Sequence, residues 1–99
     1  MNKLQLVASV VERSPVRYTP AGIPLASATL HHCAELIEDS VLRHIEMMID
    51  AIAVGETSVK LENCKIGIDT MFTGFLARKS RNTRALVFHI TTLHNIGEY

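Results

Sequence analysis

No stretch of this 99-residue chain approaches the roughly 18–20 consecutive apolar residues that a membrane-spanning helix requires. The N-terminus, MNKLQLVASVVER, lacks the apolar core and small-residue cleavage site of a secretory signal. Two cysteines, Cys33 and Cys64, are too few for the disulfide framework that staples small secreted domains. Both are therefore expected to be reduced, buried thiols of a cytoplasmic protein. Tryptophan is absent, and no aromatic ring other than histidine falls within residues 34–52. No glycine-rich phosphate loop precedes a helix. The serine, histidine and acidic residues carry no spacing that singles out a catalytic triad. Glu38 and Asp39 read as a turn rather than a metal-binding nuclease centre. Binding rather than catalysis is the expectation, with no cofactor and no resident metal.

What is present suits one small domain. Apolar residues make up 47% of the chain and charged residues 20%, a globular rather than a disordered balance. A chain this short buries only about 60–65% of its unfolded surface, so its core is thin and an oligomer would help. The formal net charge is zero, but it is unevenly spread. Residues 35–69 hold eight acids against three bases, a balance of −5. The flanks hold seven bases against two acids, Glu12 and Glu98, a balance of +5. Such a split fits either two solvated faces or a molecule with one anion-seeking side.

Local pattern gives strands at both ends. Leu4, Leu6, Ala8 and Val10 alternate with Lys3, Gln5 and Ser9, which has the period of a strand. In RYTPAGIP, residues 17–24, Pro20, Gly22 and Pro24 exclude helix and mark a stiff turn. LASATLHH, residues 25–32, reads as a second strand. The centre fits two patterns. Ile37, Val41, Ile45, Met48, Ile49 and Ile52 recur at helical spacing, and acids take the other side. Ile45, Met47, Ile49 and Ala51 also alternate with His44, Glu46 and Asp50 as in a strand, with Met48 as the misfit. Periodicity alone favours the helix. Gly55 then breaks the pattern, and ETSVKLENCK, residues 56–65, reads as a short helix with Val54, Leu61 and Cys64 inward. Alternation resumes over 66–76, where Gly74 would let the strand coil sharply. It returns over 85–93, and the chain closes on Leu93, Ile96 and Tyr99.

The last two strands flank ARKSRNTR, residues 77–84, which packs Arg78, Lys79, Arg81 and Arg84 into a hairpin tip. Mutual repulsion favours an extended, mobile loop, and phosphate is the anion such a tip would meet. Tyr18, beside Arg17, is placed either to stack on a base or to cover the core. Phe72 and Phe88 sit at inward positions, and Phe75 faces outward beside the basic loop or else into the core or a dimer contact. On a strand, His31 and Cys33 share a face but His32 does not, and two ligands do not make a metal site.

Asn2-Lys3-Leu4 together with Arg17-Tyr18-Thr19-Pro20-Ala21-Gly22-Ile23-Pro24 resembles the N-terminal region of the primosomal replication protein N (PriB) family. Gly74-Phe75-Leu76-Ala77-Arg78-Lys79-Ser80-Arg81 and the strand after it are similar to a later block of that family. The two blocks cover roughly residues 2–33 and 66–99, in the right order. The resemblance implies an all-β, five-stranded OB-fold Greek-key barrel, one domain over 1–99, with a short helix between strands three and four. It makes residues 42–52 the third strand. It further implies a homodimer that binds single-stranded DNA and bridges the restart helicase PriA to other primosome proteins. Carried over residue by residue, it places Arg17 in the loop between strands one and two. It places Arg78, Lys79, Arg81 and Arg84 between strands four and five, and Arg43 at the start of strand three. Family members can place an aromatic residue in the second hairpin where this chain has none, so its DNA binding is expected to be largely electrostatic. The alternative is an OB-fold protein-interaction module whose acidic middle is the working surface and whose DNA binding is weak or lost.

Overall fold

The N-terminal alternation folds as one bent strand. The computed structural model describes residues 1–96, so Glu98 and Tyr99 lie outside the described residues. In β1 (Leu4–Arg13), Leu6, Ala8 and Val10 are buried. Residues 4–9 pair antiparallel with β5 (Asp69–Arg78), and residues 9–13 pair antiparallel with β3 (Pro24–Glu38). The register slips between Val10 and Glu12. A bulge of this kind bends a strand enough to serve two neighbours and so closes a barrel. The side chain of Asn2 ties the entry of β1 to β5: its Nδ2 donates to the Leu76 carbonyl at 2.6 Å, and its Oδ1 accepts from the Leu76 amide at 3.0 Å.

The stiff turn also forms. Arg17 and Tyr18 make the two-residue strand β2, paired with Leu25 and Pro24. Gly22, at φ 82°, lets its amide reach the Thr19 carbonyl at 2.8 Å. Pro24 is tolerated because it begins β3.

β3 and β4 (Val41–Val54) make a long hairpin that runs in unbroken register from Leu25↔Val54 to Glu38↔Val41. Asp39 and Ser40 turn it with φ of 50° and 64°, the mirror-image two-residue turn whose twist suits a hairpin. The central segment is therefore strand, and the helical periodicity is corrected. Ile45, Ile49 and Ala51 face the side that carries the core, whereas Ile37, Met48 and Ile52 face the other side. Two apolar faces laid over one another imitate a helical repeat, and fourteen residues of cross-strand pairing outweigh the local preference. Near the barrel, Ala26, Ala28, Leu30, Ala51 and Ala53 are buried. Farther out, residues 33–47 pair only with each other among the described residues, and β3 extends well past the expected residues 25–32.

Helix α1 (Glu56–Glu62) plugs one end of the barrel with Leu61 and Ser58, both buried. It is shorter than the expected 56–65, and Val54 is 45% exposed rather than inward. Arg13 caps its C-terminus: Nη1 donates to the carbonyls of Glu62 at 2.5 Å, Leu61 at 3.3 Å, and Cys64. A cation is favoured at that end of the helix dipole. One of the flanking cations is thus engaged in holding the fold.

β5 starts at Asp69 rather than 66 and pairs antiparallel with β6 (Leu86–Asn95). The register slips between Thr73 and Gly74, and a Cβ on Gly74 would lie 1.8 Å from the His89 carbonyl oxygen. Gly74 is the bend that the sequence suggested. A short parallel pairing of β6 with β4, at Ala51↔Phe88 and Ile52↔His89, completes the closed order β1-β5-β6-β4-β3-β1. The five-stranded OB barrel with one short helix is therefore present, with β2 as an added edge. Phe72 and Phe88 fill its centre, Leu93 packs against the core, and Ile96 is exposed.

Candidate nucleic-acid interface

The basic tip is built by β5 and β6. Arg78 is the last residue of β5, and residues 79–85 form the loop. The loop is more closed than mutual repulsion suggested. The Lys79 amide donates to the Ala85 carbonyl at 2.9 Å, and Arg78 Nη1 donates to the Arg81 carbonyl at 3.2 Å. Arg78, Lys79, Arg81 and Arg84 are all exposed.

Lys79 does not project with the other three. Its Nζ bonds to the Asp50 carboxylate on the outer face of β4. Both side chains are about half exposed, so the pair adds only about 0–1 kcal/mol to stability. Its effect is geometric, because it draws the loop base over the hairpin. Beneath it lies a groove of about 360 Å³, lined by Arg17, Ser27, Thr29, Asp50, Ile52 and Lys79. Its floor is the outer face of the β3–β4 hairpin, where Thr29 pairs with Asp50 and Ser27 with Ile52. Arg17 on β2 and Lys79 on the loop thus stand on one groove. Tyr18 is 70% exposed and does not cover the core. It shares a shallow depression with Arg17, Thr19 and Leu25.

Arg43 is not brought to this site. Side chains alternate across a strand, so Arg43 shares the face of Ile45 and Ala51, opposite to Asp50. It bonds instead to Glu38 at 2.6 Å across the hairpin end. Among the described residues, no carboxylate pairs with Arg17, Arg78, Arg81 or Arg84.

An aromatic surface that sequence reading left open adjoins the groove. Phe75, on the outer face of β5 and 38% exposed, stacks on His89 with ring centroids 4.7 Å apart and planes 10° apart. Ile52 lines both the groove and the depression beside this pair. The signal was the parity of Phe75 against buried Phe72 and Gly74, with His89 opposite it in β6.

Cys33 corrects the expectation of two buried thiols: Cys64 is buried, but Cys33 is exposed. Desolvation first, then the hydrogen bond and charge of Glu46, then the charge of Asp69, push the Cys33 thiol up from its ordinary value.

A family described as "another single-strand binding protein family" matches residues 2–92. The replication restart protein PriB of Nitrosomonas europaea is 35% identical over 89 residues, 90% of this chain and 82% of that protein. The chain belongs to the PriB family. A solved PriB structure from Ralstonia solanacearum superposes with a TM-score of 0.87 at 40% identity, covering 97% of this chain and 99% of that one. The SSB domain of a Synechococcus protein shares the fold at 18% identity, with a TM-score of 0.71 and 96% of each chain covered. The region matched to the family includes the β3–β4 hairpin, Arg17, the basic loop and the Phe75–His89 pair. The candidate-site residues therefore all lie within the stretch that matches the family.

Proposed function

We propose that this PriB-family chain binds single-stranded DNA during replication restart, as one OB domain over residues 1–99. It works in the cytoplasm as a homodimer and acts by binding alone. Arg17, Arg78, Lys79, Arg81 and Arg84 meet phosphates, and Tyr18 offers a ring to a base. Arg43 contributes from the far face of the hairpin, where the strand would have to wrap past the hairpin end. The same chain bridges a PriA-like restart helicase to other primosome proteins. The observation that carries the reading is the groove on the outer β3–β4 face, with Arg17 on one side and the base of the basic loop on the other. OB barrels use this face and its framing loops for nucleic acid.

Fluorescence anisotropy of labelled single strands across a salt series tests it. Each phosphate neutralised contributes about −0.7 to the log–log slope, so four to eight contacts across a dimer give roughly −3 to −6. Replacing Arg78, Lys79, Arg81 and Arg84 together with alanine should remove most of that slope and leave the far-UV spectrum unchanged. Undiminished binding by that variant would exclude the loop.

One observation favours a second reading, a protein-interaction module with weak DNA binding. Lys79 and Arg43 are each paired with a carboxylate of the chain itself. A flat salt response, or no binding even at about 50 mM salt, would select it.

A further inference from the structure

The hairpin register places three metal-binding side chains on one exposed face. His31 and Cys33 are two residues apart on β3, and Glu46 is the partner of Cys33 on β4. The Cys33 Sγ lies 3.6 Å from His31 Nε2 and 3.6 Å from a Glu46 carboxylate oxygen. The same His31 Nε2 lies 3.4 Å from that oxygen. A tetrahedral zinc ion with ordinary bond lengths sets its ligand atoms about 3.5–3.6 Å apart for sulfur and nitrogen, about 3.6 Å for sulfur and oxygen, and about 3.4 Å for nitrogen and oxygen. The triangle on the hairpin already has those edges. We propose that His31, Cys33 and Glu46 form a zinc-binding site with its fourth position open to water.

The chemistry of the donors points to this ion. A thiolate with an imidazole suits borderline-soft zinc and disfavours magnesium or calcium, which take oxygen ligands. The site is open to solvent, so an ion can enter without the fold opening. Uninterrupted pairing on both sides, from Thr29↔Asp50 to Glu38↔Val41, holds the three Cβ atoms in place. Binding exchanges the Cys33 S–H proton for the metal: the S–H bond breaks, the sulfur keeps the electron pair and donates it to zinc, and the proton leaves to solvent. With the thiolate and the Glu46 carboxylate both charged, the bound ion leaves the site formally neutral where the metal-free site carries one negative charge. That change falls on the face whose next rungs, His31–Met48 and Thr29–Asp50, lead into the groove.

Cobalt(II) titrated into the full-length, untagged, metal-free protein tests the proposal directly. The expected result is saturation at one ion per chain, with a thiolate-to-cobalt charge-transfer band in the near ultraviolet and intense visible bands of tetrahedral cobalt. Zinc should displace the cobalt and slow alkylation of Cys33 by roughly tenfold or more. Cys33→Ser should abolish the charge-transfer band, and Cys64→Ser should leave it. His31→Ala and Glu46→Gln should each weaken binding by at least tenfold, with circular dichroism showing the sheet intact; all three ligands lie on the outer hairpin face rather than in the core. A wild-type titration without the charge-transfer band, or a band that survives Cys33→Ser, overturns the site. Glu46→Gln binding within twofold of wild type removes the third ligand and with it the proposal.

Discussion

At the scale of single residues, close backbone approach and like charge decide the outcome. Gly74 has no room for a methyl group, because the His89 carbonyl and the Phe88 ring occupy its place. Both belong to β6, whose other edge closes the barrel on β4, so relief would require the closing strand to move. Gly74→Ala should therefore destabilise the protein by about 2–3 kcal/mol or prevent folding, measured by urea denaturation. An effect within about 0.5 kcal/mol would mean that the barrel tolerates a looser seam. Asp50 acts oppositely on function. Its carboxylate stands in the groove proposed for phosphates and holds Lys79. Asp50→Asn removes the like charge and frees a cation. Anisotropy should then show DNA affinity higher by roughly two- to fivefold at low salt, since exposed charge pairs are worth about 0.5–1 kcal/mol. The log–log salt slope should steepen by about 0.7. Weaker binding by Asp50→Asn would mean that the ion pair serves to position Lys79 for DNA.

At the scale of elements, the β3–β4 hairpin shows what local sequence can and cannot reveal. The outer strands were legible because each buries mainly one face: Leu6, Ala8 and Val10 inward, Phe72 inward, Phe88 and Ile90 inward, with Val87 on the opposite face of β6 buried as well. The basic tip was legible because its cations are contiguous in sequence. The hairpin was not, because residues 33–47 carry apolar side chains on both faces, and no periodicity separates two overlaid stripes from one helical stripe. The failures at the site have the same root. Lys79 meets Asp50 across 29 residues of chain, Glu46 joins Cys33 only through strand register, and Arg43 sits on the far face by a parity that depends on that register. Long-range pairing sets all three. The turn that fixes this register carries a local cost, since Ser40 adopts φ 64° with a side chain that disfavours it. Ser40→Gly, giving an Asp-Gly turn, should stabilise the protein by about 0.5–1 kcal/mol in urea denaturation and leave the fold unchanged. A loss of stability would show that the Ser40 side chain contributes more than the strain it carries.

At the scale of the whole molecule, the core and the hairpin together bear on the homodimer proposed above. Five of the thirteen side chains in the buried cluster are alanine, and alanine buries little area per residue. Meanwhile the outer hairpin exposes Leu36, Ile37, Val41, Leu42 and Met48, which a lone subunit must hold in water. On the homodimer reading, a barrel with so lean an interior and so much apolar surface left over would gain most of its margin by association. Its stability should then depend on protein concentration, because unfolding is coupled to dissociation. Each tenfold increase in concentration is worth about 1.4 kcal/mol per dimer. For a unit of twice this length, that corresponds to a rise in Tm of roughly 3–6 °C. Calorimetry over a hundredfold concentration range, with mass by light scattering at each end, reads the effect. A constant Tm with a monomer's mass would place the stabilising energy inside the single barrel. Each basic loop would then work alone, and the salt slope for DNA would fall to about half the value expected for two.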